Sequence, residues 1–311
     1  MWLSVWQDHG DFHLRTGDCF PLRKTVRPQS VAMAKCVPCP APSGDTALRS
    51  RQFLCINPEY RFFAANVPIR EIKLQNLSII VPVLNEEAVV ASCLRQLAAL
   101  REQGAQVIVV DGGSTDATIS TALPLCDLVV HAPRGRASQM NTGAERAEGD
   151  ILLFLHADTR LPADGPETLA VGLASGSHDW GRFDVRIDGS SRLLRLVAAM
   201  MNLRSRWTGI ATGDQAIFMR RTAFNAVGRF PDIPLMEDIE ISRRLKLLGP
   251  PLCLREKVTT SGRRWEKNSV LRTILSMWRL RLAHYFGADP AALARQYGYT
   301  PREGLPRKDG R

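Results

Sequence analysis

Acidic and histidine side chains follow apolar runs of this sequence at the point where each run ends. The run ILLFLHAD ends in His156 and Asp158, and the run QVIVVD ends in Asp111. Carboxylate oxygens are the ligands that manganese and magnesium prefer, and such ions can hold a diphosphate. Asp158 is therefore the predicted metal ligand, whereas His156 either shares the metal or hydrogen-bonds ribose or phosphate. The alternative is that Asp158 merely caps the helix predicted after Pro162.

The segment VVDGGSTDAT is a candidate nucleotide site. Two glycines turn the chain after Asp111, and Gly112 allows a ligand to approach the backbone closely. Exposed amides at the start of a helix suit a phosphate or a ribose. The alternative is an ordinary strand–turn–helix joint with Ser114 as its N-cap. The preceding strand ends in PVLNEE without the Gly-x-Gly that a dinucleotide site needs, which argues against NAD.

A basic segment, GRASQMNTGAERA, lies between these two motifs. Arg134 and Arg136 precede a predicted helix that carries Gln139 and Asn141. Arginines near a nucleotide can neutralise its diphosphate, so the four side chains are predicted to bind the donor. A solvated basic loop is the alternative.

Two pairs of polar residues occur in the second half of the chain. Asp214 and Gln215 precede the apolar AIFM, and Glu237 and Asp238 open the predicted helix EDIEISRRLKLLG. Paired carboxylates can divide their tasks so that one stays ionised and acts as a general base. The alternative is that the acids simply complement the dipole of the helix.

The segment SGRRWEKNS carries Arg264 and Trp265. These side chains could cover a bound diphosphate or sugar. A cation–π patch on the surface is the alternative.

The elements that must position these residues alternate regularly from Leu77 onward. Apolar runs alternate with helical patterns up to about Trp180, which predicts a parallel, doubly wound sheet whose ligands bind beyond the carboxyl ends of its strands. The strands and helices that follow are less regular. Residues 1–75 are rich in Pro, Arg and Cys and are predicted to be a poorly ordered extension.

The last helical pattern, NSVLRTILSMWRLRLAHYFG, is amphipathic and is followed by a predicted polar tail. One explanation is that it rests on an anionic membrane surface. The alternative is that it packs on the core or on a second subunit. Its apolar stripe consists of Val270, Ile274, Leu275, Trp278, Leu282 and Phe286.

Composition limits the class of partner. The 311 residues carry a net charge of +10, which favours an anionic partner such as a phosphate-bearing ligand or an anionic membrane. No nucleic-acid reader motif is present, so we expect no nucleic-acid partner. Seven unevenly spaced cysteines and the absence of a recognisable signal peptide predict a cytoplasmic protein.

The order of the motifs resembles family 2 glycosyltransferases of GT-A fold. SIIVPVLNEE, VVDGGSTDAT, FLHADT and MEDIEISRRL follow one another as in that family, most like its small, soluble-type bacterial branch. The resemblance implies an α/β protein with a doubly wound, mostly parallel sheet. One half would be Rossmann-like and bind the nucleotide, and the other would be mixed and face the acceptor. It assigns residues 76–265 to this domain and residues 266–311 to the C-terminal amphipathic helix and tail.

The resemblance also implies roles for single residues on the donor side. Pro82, Asn85 and Glu86 match the loop that contacts the nucleotide. Asp111 and Asp116 match the acids near the base and the ribose.

On the catalytic side, His156 and Asp158 match the metal-binding D-x-D pair, with histidine replacing the first aspartate. Asp238 matches the catalytic base with Glu237 beside it, and Asp214 lies where the acceptor or sugar is usually held.

Arg264 and Trp265 resemble the end of a Q-x-x-R-W signature whose glutamine is absent here. That absence, with the lack of an apolar membrane-spanning stretch, argues against processive polymer synthesis.

The implied activity is inverting, divalent-metal-dependent transfer of a sugar from a nucleotide sugar to a hydroxyl acceptor. A lipid-linked or lipophilic acceptor at the inner face of the membrane is one candidate. Two rival functions are a nucleotidyltransferase acting on a sugar phosphate and a non-catalytic nucleotide-sugar-binding protein. The first is disfavoured because no Gly- and Arg-rich loop follows the first strand, and the second because Asp158 and Asp238 are both present.

Overall fold

A computed structural model of the chain describes residues 74–263, 265 and 269–302. The predicted extension, residues 1–75, lies almost entirely outside the described residues. Arg264 and the end of the tail lie outside them as well.

Eight strands form one sheet in the order β3-β2-β1-β4-β7-β6-β8-β5. The first four are parallel. The apolar side chains of β1, β2 and β4 are largely buried because helices cover the sheet, whereas those of the edge strand β3 are partly or fully exposed. The prediction of a parallel, doubly wound half is confirmed. These four strands are β1 (Leu77–Val83), β2 (Gln106–Asp111), β3 (Leu128–His131) and β4 (Ile151–Phe154).

The second half of the sheet is mixed, as expected for the side facing the acceptor. Strand β7 runs antiparallel to both β4 and β6, whereas β6 and β8 are parallel. The short β5 pairs antiparallel with β8. The strands are β5 (Thr159–Arg160), β6 (Trp180–Asp188), β7 (Phe218–Arg220) and β8 (Leu252–Ser261).

The helices of the parallel half are short. The helix predicted over residues 86–104 is divided, because a turn at residues 96–97 separates α1 from α2. The helix predicted after VVDGGS forms only five residues before Leu123–Leu125 continue as a 3-10 turn. The four helices are α1 (Glu87–Arg95), α2 (Ala98–Glu102), α3 (Thr118–Ala122) and α4 (Arg136–Arg146).

Six further helices cover the rest of the described chain. A 3-10 turn over Gly213–Gln215 replaces the predicted start of a strand there. No helix in the described part of the chain is long and apolar enough to span a bilayer. The six are α5 (Gly165–Ala174), α6 (Leu193–Thr208), α7 (Arg221–Ala226), α8 (Glu237–Leu245), α9 (Val270–Tyr285) and α10 (Pro290–Gln296).

Two apolar cores lie on the faces of the sheet. One contains Leu94 of α1 and Phe183 of β6, and the other contains Phe154, Phe224 and Phe230. The Phe154 and Phe230 rings meet edge to face with centroids 4.9 Å apart. Burying one such side chain contributes about 1.5–3 kcal/mol, so the two cores make the strand ends a rigid platform.

The C-terminal tail is only partly polar, which corrects the prediction for that region. Asp289 caps α10 by accepting hydrogen bonds from the amides of Ala291 and Ala292. Leu293 is buried in a small cluster with Met236 at the start of α8 and with Leu280 of α9. Helix α10 therefore packs against the start of α8, where two of the predicted site residues lie.

The predicted apolar stripe of α9 is divided between core and solvent. Val270 is buried, whereas Leu275, Leu282 and Phe286 are exposed. The inward face includes His284, whose Nε2 lies 2.8 Å from Oε1 of Glu240. The sequence pattern thus predicted an amphipathic helix, and its stripe lies partly in the core and partly at the surface.

Candidate functional site

The loop after β2 is held by side chains. The carboxylate of Asp111 accepts hydrogen bonds from the amides of Gly113 and Ser114, each at 3.0 Å. Burial opposes the charge of Asp111, but these bonds and the nearby His131 together lower its pKa below the usual value. Asp111 is therefore ionised and shapes the turn from within.

The next amides of this loop are also occupied. Asn85 Oδ1 accepts from the amide of Thr115 at 2.8 Å, and Glu87 accepts from Ala117 at 3.0 Å. Asp116 accepts from the amide and hydroxyl of Thr118, which lowers its pKa. The expectation of free amides for a phosphate is therefore wrong for these positions, and Ser114 is not a helix cap.

Two residues of β1 and its following loop are placed by backbone geometry. Pro82 stands where β4 no longer pairs with β1, so its missing N–H interrupts no bond to that strand. Asn85 has φ 53°, a left-handed conformation that turns the chain towards the Asp111 loop. Strained residues of this kind cluster at functional sites.

Gln139 supports the strand ends from below. Its Nε2 donates to the carbonyls of Val83 and Val110, both at 2.8 Å, and the side chain is buried. A Cβ on Gly112 would lie 3.0 Å from the Gln139 amide, so Gly112 is packed directly against it. Gln139 therefore positions the loop after β2. The structure shows its Nε2 bonded to these two carbonyls, whereas the sequence predicted a contact with the donor.

Asn141 and Arg134 also have partners other than those predicted. Both amide atoms of Asn141 bond the backbone of Phe230, at 2.9 and 3.1 Å, so its role is structural. The guanidinium of Arg134 lies 5.4 Å from the centre of the Tyr299 ring. The structure therefore ties both residues to neighbouring segments of the chain.

Arg136 lies among the acids of the second half of the site. Desolvation opposes its charge, but Glu237, Asp214 and Asp238 outweigh that effect and raise its pKa. The residue is exposed to solvent. Arg136 is thus the member of the basic segment that the structure brings to the predicted catalytic acids.

His156 is turned towards Asp214. Its Nδ1 lies 3.4 Å from Oδ1 of Asp214, and the imidazole is buried. A Cβ on Gly213 would lie 2.6 Å from the imidazole, so the ring packs on the Gly213 backbone. The structure therefore joins the HAD segment to the loop before β7.

The helix that carries Glu237 and Asp238 begins with an unusual backbone. Met236 has φ 70° and is buried, which fixes the direction of the first turn. Asp238 accepts hydrogen bonds from the amides of Gly213 at 3.0 Å and Ile239 at 2.8 Å. Its carboxylate is held in one orientation beside the Asp214 loop.

Glu237 is chemically distinct from its neighbour. Burial and the charge of Asp238 raise the pKa of Glu237 to about 7, although Arg136 opposes the shift. Asp238 keeps more contact with solvent. The pair therefore consists of a buried carboxyl that holds its proton near neutrality and an accessible carboxylate fixed by two amides.

Asp158 faces Glu86 of the first loop. Burial raises the pKa of Glu86, and the charge of Asp158 raises it further. The described residues contain no cluster of three or more His, Cys, Asp or Glu arranged to hold a metal. The donor set therefore fits an ion bound by one or two carboxylates plus phosphates, which is how magnesium is commonly held.

A cavity of about 340 Å³ adjoins Asp158. It lies between α1 and the ends of β5 and β8, and its lining includes Ser92, Arg160, Asp188 and Arg263. Trp265 is partly buried against the core that contains Leu94 and Phe183. The predicted Arg264 lies outside the described residues.

Gln215 has a structural task that corrects its predicted contact with the acceptor. It is buried, and its Oε1 accepts from the Thr212 amide at 3.2 Å while its Nε2 donates to Asn202. It thereby fixes the turn from which Asp214 projects.

Two residues near Asp238 were not identified from the sequence. Arg204 of α6 and Arg281 of α9 both lie close enough to Asp238 to feel its charge. Arginines in the amphipathic patterns SRLLRLVAAMMNLRSRW and SMWRLRLAHYF are expected to face solvent, so only the packing of α6 and α9 reveals them.

The sequence matches a known family over the parallel half and beyond. Residues 78–225 match the family described as Glycosyl transferase family 2. This range contains β1 to β7, and therefore the Asp111 loop, the HAD segment and Asp214.

Curated relatives share part of their length with this chain. A PGL/p-HBAD biosynthesis glycosyltransferase of Mycobacterium bovis is 33% identical over 171 residues, which are 49% of this chain and 62% of that protein. An undecaprenyl-phosphate 4-deoxy-4-formamido-L-arabinose transferase of Pseudomonas fluorescens is 27% identical over 179 residues, 51% of each chain. The chain thus spans less than two thirds of the length of these relatives.

A solved structure with related architecture is a mannosyltransferase from Pyrobaculum calidifontis in complex with GDP-Man and Mn²⁺. It is 21% identical with a TM-score of 0.49, and the match covers 73% of this chain and 66% of that one.

Proposed function

We propose that this chain transfers a sugar from a nucleoside-diphosphate sugar to a hydroxyl acceptor, because residues 78–225 match the family described as Glycosyl transferase family 2. One observation carries the proposal. The carboxylate of the partly exposed Asp238 is fixed by the amides of Gly213 and Ile239. Arg136 lies near this carboxylate, and the adjoining loop carries Asp214, which contacts His156.

The donor's nucleoside is assigned to the end of β2. Asp111 and Asn85 shape this loop, and Glu86, which follows Asn85, lies near enough to Asp158 to feel its charge. Ligands of open α/β sheets bind beyond the carboxyl ends of the strands, where these residues lie. Arg136 is assigned to the diphosphate because the residue is exposed to solvent and lies near the predicted catalytic acids.

Asp238 serves as the general base. It takes the proton of the acceptor hydroxyl while that oxygen attacks the anomeric carbon from the face opposite the leaving group. The bond from the anomeric carbon to the diphosphate oxygen breaks, and the nucleoside diphosphate departs with inversion of configuration. General-base assistance contributes roughly 10²–10⁴-fold to the rate.

A divalent manganese or magnesium ion would be held by Asp158 together with the donor's phosphates. When bound, such an ion stabilises the charge that develops on the departing diphosphate. Glu86 lies near enough to Asp158 for the two charges to oppose each other, so a cation between them is favourable. His156 orients Asp214 through the 3.4 Å contact.

A lipid-linked or lipophilic acceptor is supported by the exposed apolar faces of α6 and α9. These faces would rest on an anionic membrane surface, at the inner side of the membrane, and bring the site to the acceptor. The relative from Pseudomonas fluorescens is named for an undecaprenyl-phosphate acceptor. The residues concerned are Leu193, Leu196, Met200, Leu203 and Trp207 on α6, and Leu271, Leu275, Trp278, Leu282 and Phe286 on α9 or directly after it.

Two measurements test the transferase proposal. Nucleotide sugars are screened for thermal stabilisation of the protein and for metal-dependent hydrolysis, which also names the donor.

Asp238→Asn should then abolish hydrolysis or transfer while donor binding survives, because the amide cannot accept the proton. Glu240→Gln, in the same helix turn, is the control. Stabilisation without turnover would indicate a binding protein. Formation of a nucleotide sugar and pyrophosphate from a nucleoside triphosphate and a sugar phosphate would indicate a nucleotidyltransferase.

A further inference from the structure

Two partly buried arginines near Asp238 carry guanidinium nitrogens that lack the partners that buried donors normally have. The Nε and Nη2 atoms of Arg204 and the Nε atom of Arg281 are buried without a hydrogen-bond partner among the described residues. Buried polar atoms are hydrogen-bonded in the great majority of proteins. Three orphaned donors on two neighbouring arginines therefore indicate an acceptor group that the described residues do not provide.

The electrostatics of the pair point the same way. Burial lowers the pKa of Arg204 to about 10, and the charge of Arg281 contributes to that shift. Burial also lowers the pKa of Arg281, with Asp238 and Asp214 opposing. The carboxylate of Asp238 accepts hydrogen bonds from the amides of Gly213 and Ile239 and makes none with the orphaned atoms of the two arginines. An anion between the two guanidinium groups would remove their repulsion.

The position of the pair assigns the anion to the acceptor side. Along the sheet, β2 with its nucleotide loop is followed by β1, β4, β7 and β6. Helix α6 is anchored on β6, because Asn202 bonds both backbone atoms of Val185 and Arg182 bonds Ser205. Arg204 thus lies on the far side of the cleft from the nucleotide loop.

Both arginines come from helices that also carry exposed apolar faces. On α6, Leu203 and Trp207 flank Arg204 and are exposed, and on α9, Leu282 follows Arg281 and is exposed. A molecule that approached over these faces would place an anionic group beside the arginines and its apolar part on the helices.

We propose that Arg204 and Arg281 bind a phosphate or similar oxyanion of the acceptor and so hold the acceptor hydroxyl against Asp238. This inference rests on the proposed glycosyl transfer and names the class of its acceptor. The two planar guanidinium groups offer donors in a fork geometry that matches phosphate oxygens. They act as positioning residues, because the proton of the hydroxyl goes to Asp238.

Inorganic phosphate is the first probe, and it requires no turnover. The melting temperature of the full chain is followed against phosphate at constant ionic strength, with chloride as the balancing ion. We expect a rise of about 2–6 °C once phosphate exceeds its Kd by roughly ten- to a hundredfold, and the rise should grow with the logarithm of the phosphate concentration. The same titration with hexyl phosphate shows whether an attached apolar chain lowers the concentration needed.

Arg204→Gln and Arg281→Gln should each weaken the phosphate effect by roughly 10- to 100-fold, because a charge-assisted bond is lost. The ligand-free melting temperature should not fall, since each change removes an unpartnered buried cation. Arg281→Lys should restore part of the effect. Arg272→Gln removes the same charge from an exposed position of α9 and should leave the phosphate response unchanged.

A second titration separates the acceptor's oxyanion from the donor's diphosphate. Phosphate stabilisation should add to that of UDP, and Arg204→Gln should leave UDP binding unchanged. Competition between phosphate and UDP would assign the pair to the donor and overturn the proposal. An absent phosphate effect, or an equal loss in Arg272→Gln, would overturn it too. Failure of the transferase proposal itself would appear separately, as absent turnover with intact phosphate binding.

Discussion

At the scale of single residues, the site separates two adjacent carboxyl groups by their surroundings. Glu237 is buried and its pKa is raised to about 7 by burial and by Asp238. Asp238 is more accessible and accepts two amide hydrogens. Such separation gives neighbouring acids different protonation states at one pH. A protonated Glu237 then adds less negative charge beside Asp238 than a second carboxylate would.

The raised pKa of Glu237 predicts a pH-dependent stability. An unfolded chain releases this proton near the ordinary value of 4.5, whereas the folded chain holds it to about 7. Between these values the folded state binds more protons, so the free energy of unfolding falls as pH rises. Glu237→Gln should flatten this slope, in urea titrations from about pH 5 to about pH 8. The exposed Glu102→Gln is the control, and an unchanged slope in Glu237→Gln would contradict the assignment.

The HAD segment predicts different losses for its two polar residues. Asp158→Asn should abolish stabilisation by manganese in the presence of UDP, because the ion loses its carboxylate. His156→Ala should change the Kd for manganese by no more than about threefold, which is less than the 1.4 kcal/mol that corresponds to a tenfold change. Its turnover should fall, because Asp214 loses its 3.4 Å contact. Loss of manganese binding in His156→Ala would make the histidine a ligand.

At the scale of elements, periodicity and strand ends could be predicted, whereas side-chain partners could not. The apolar runs predicted β1 to β4 and placed Asp111 and Asp158 at strand ends. Gln139 and Gln215 looked like ligand contacts because polar residues near a site suggest binding. Their amides instead satisfy buried backbone groups, a requirement that only the packed structure displays.

The same limit explains Arg204 and Arg281. An amphipathic pattern gives the apolar face of a helix but not which polar residue points into a neighbouring cleft. Helix α10 was missed for a different reason, since Asp289 and Pro290 announce a helix start that the polar composition of the tail obscured.

Gln139 links α4 to the ends of β1 and β2, so replacing it tests how these elements are held together. Gln139→Leu keeps the size of the side chain but removes two buried hydrogen bonds. We expect the free energy of unfolding to fall by about 1–3 kcal/mol in urea titrations. Ser138→Ala, one residue earlier on α4, should change it far less. Equal losses in both variants would show that α4, rather than the amide, is responsible.

At the scale of the whole molecule, the excess of positive charge and the exposed apolar faces fit one kind of surface. The chain has a net charge of +10. Leu196, Trp207, Leu275 and Leu282 are exposed on two helices whose arginines reach the cleft. Basic amphipathic helices of this kind bind anionic interfaces by burying apolar side chains below the headgroups.

Vesicle binding tests that surface. The full chain should float with phosphatidylglycerol-containing vesicles, less at high salt because exposed charges are screened. Trp207→Ser and Leu282→Ser should each weaken binding about tenfold or more, since burying such a side chain contributes about 1.5–3 kcal/mol. Leu247→Ser, which is 87% exposed between α8 and β8, is the control. Equal weakening in all three variants would mean that general hydrophobicity, and not the faces of α6 and α9, governs adsorption. If the wild-type chain stays unbound, the acceptor must reach Asp238 through solution.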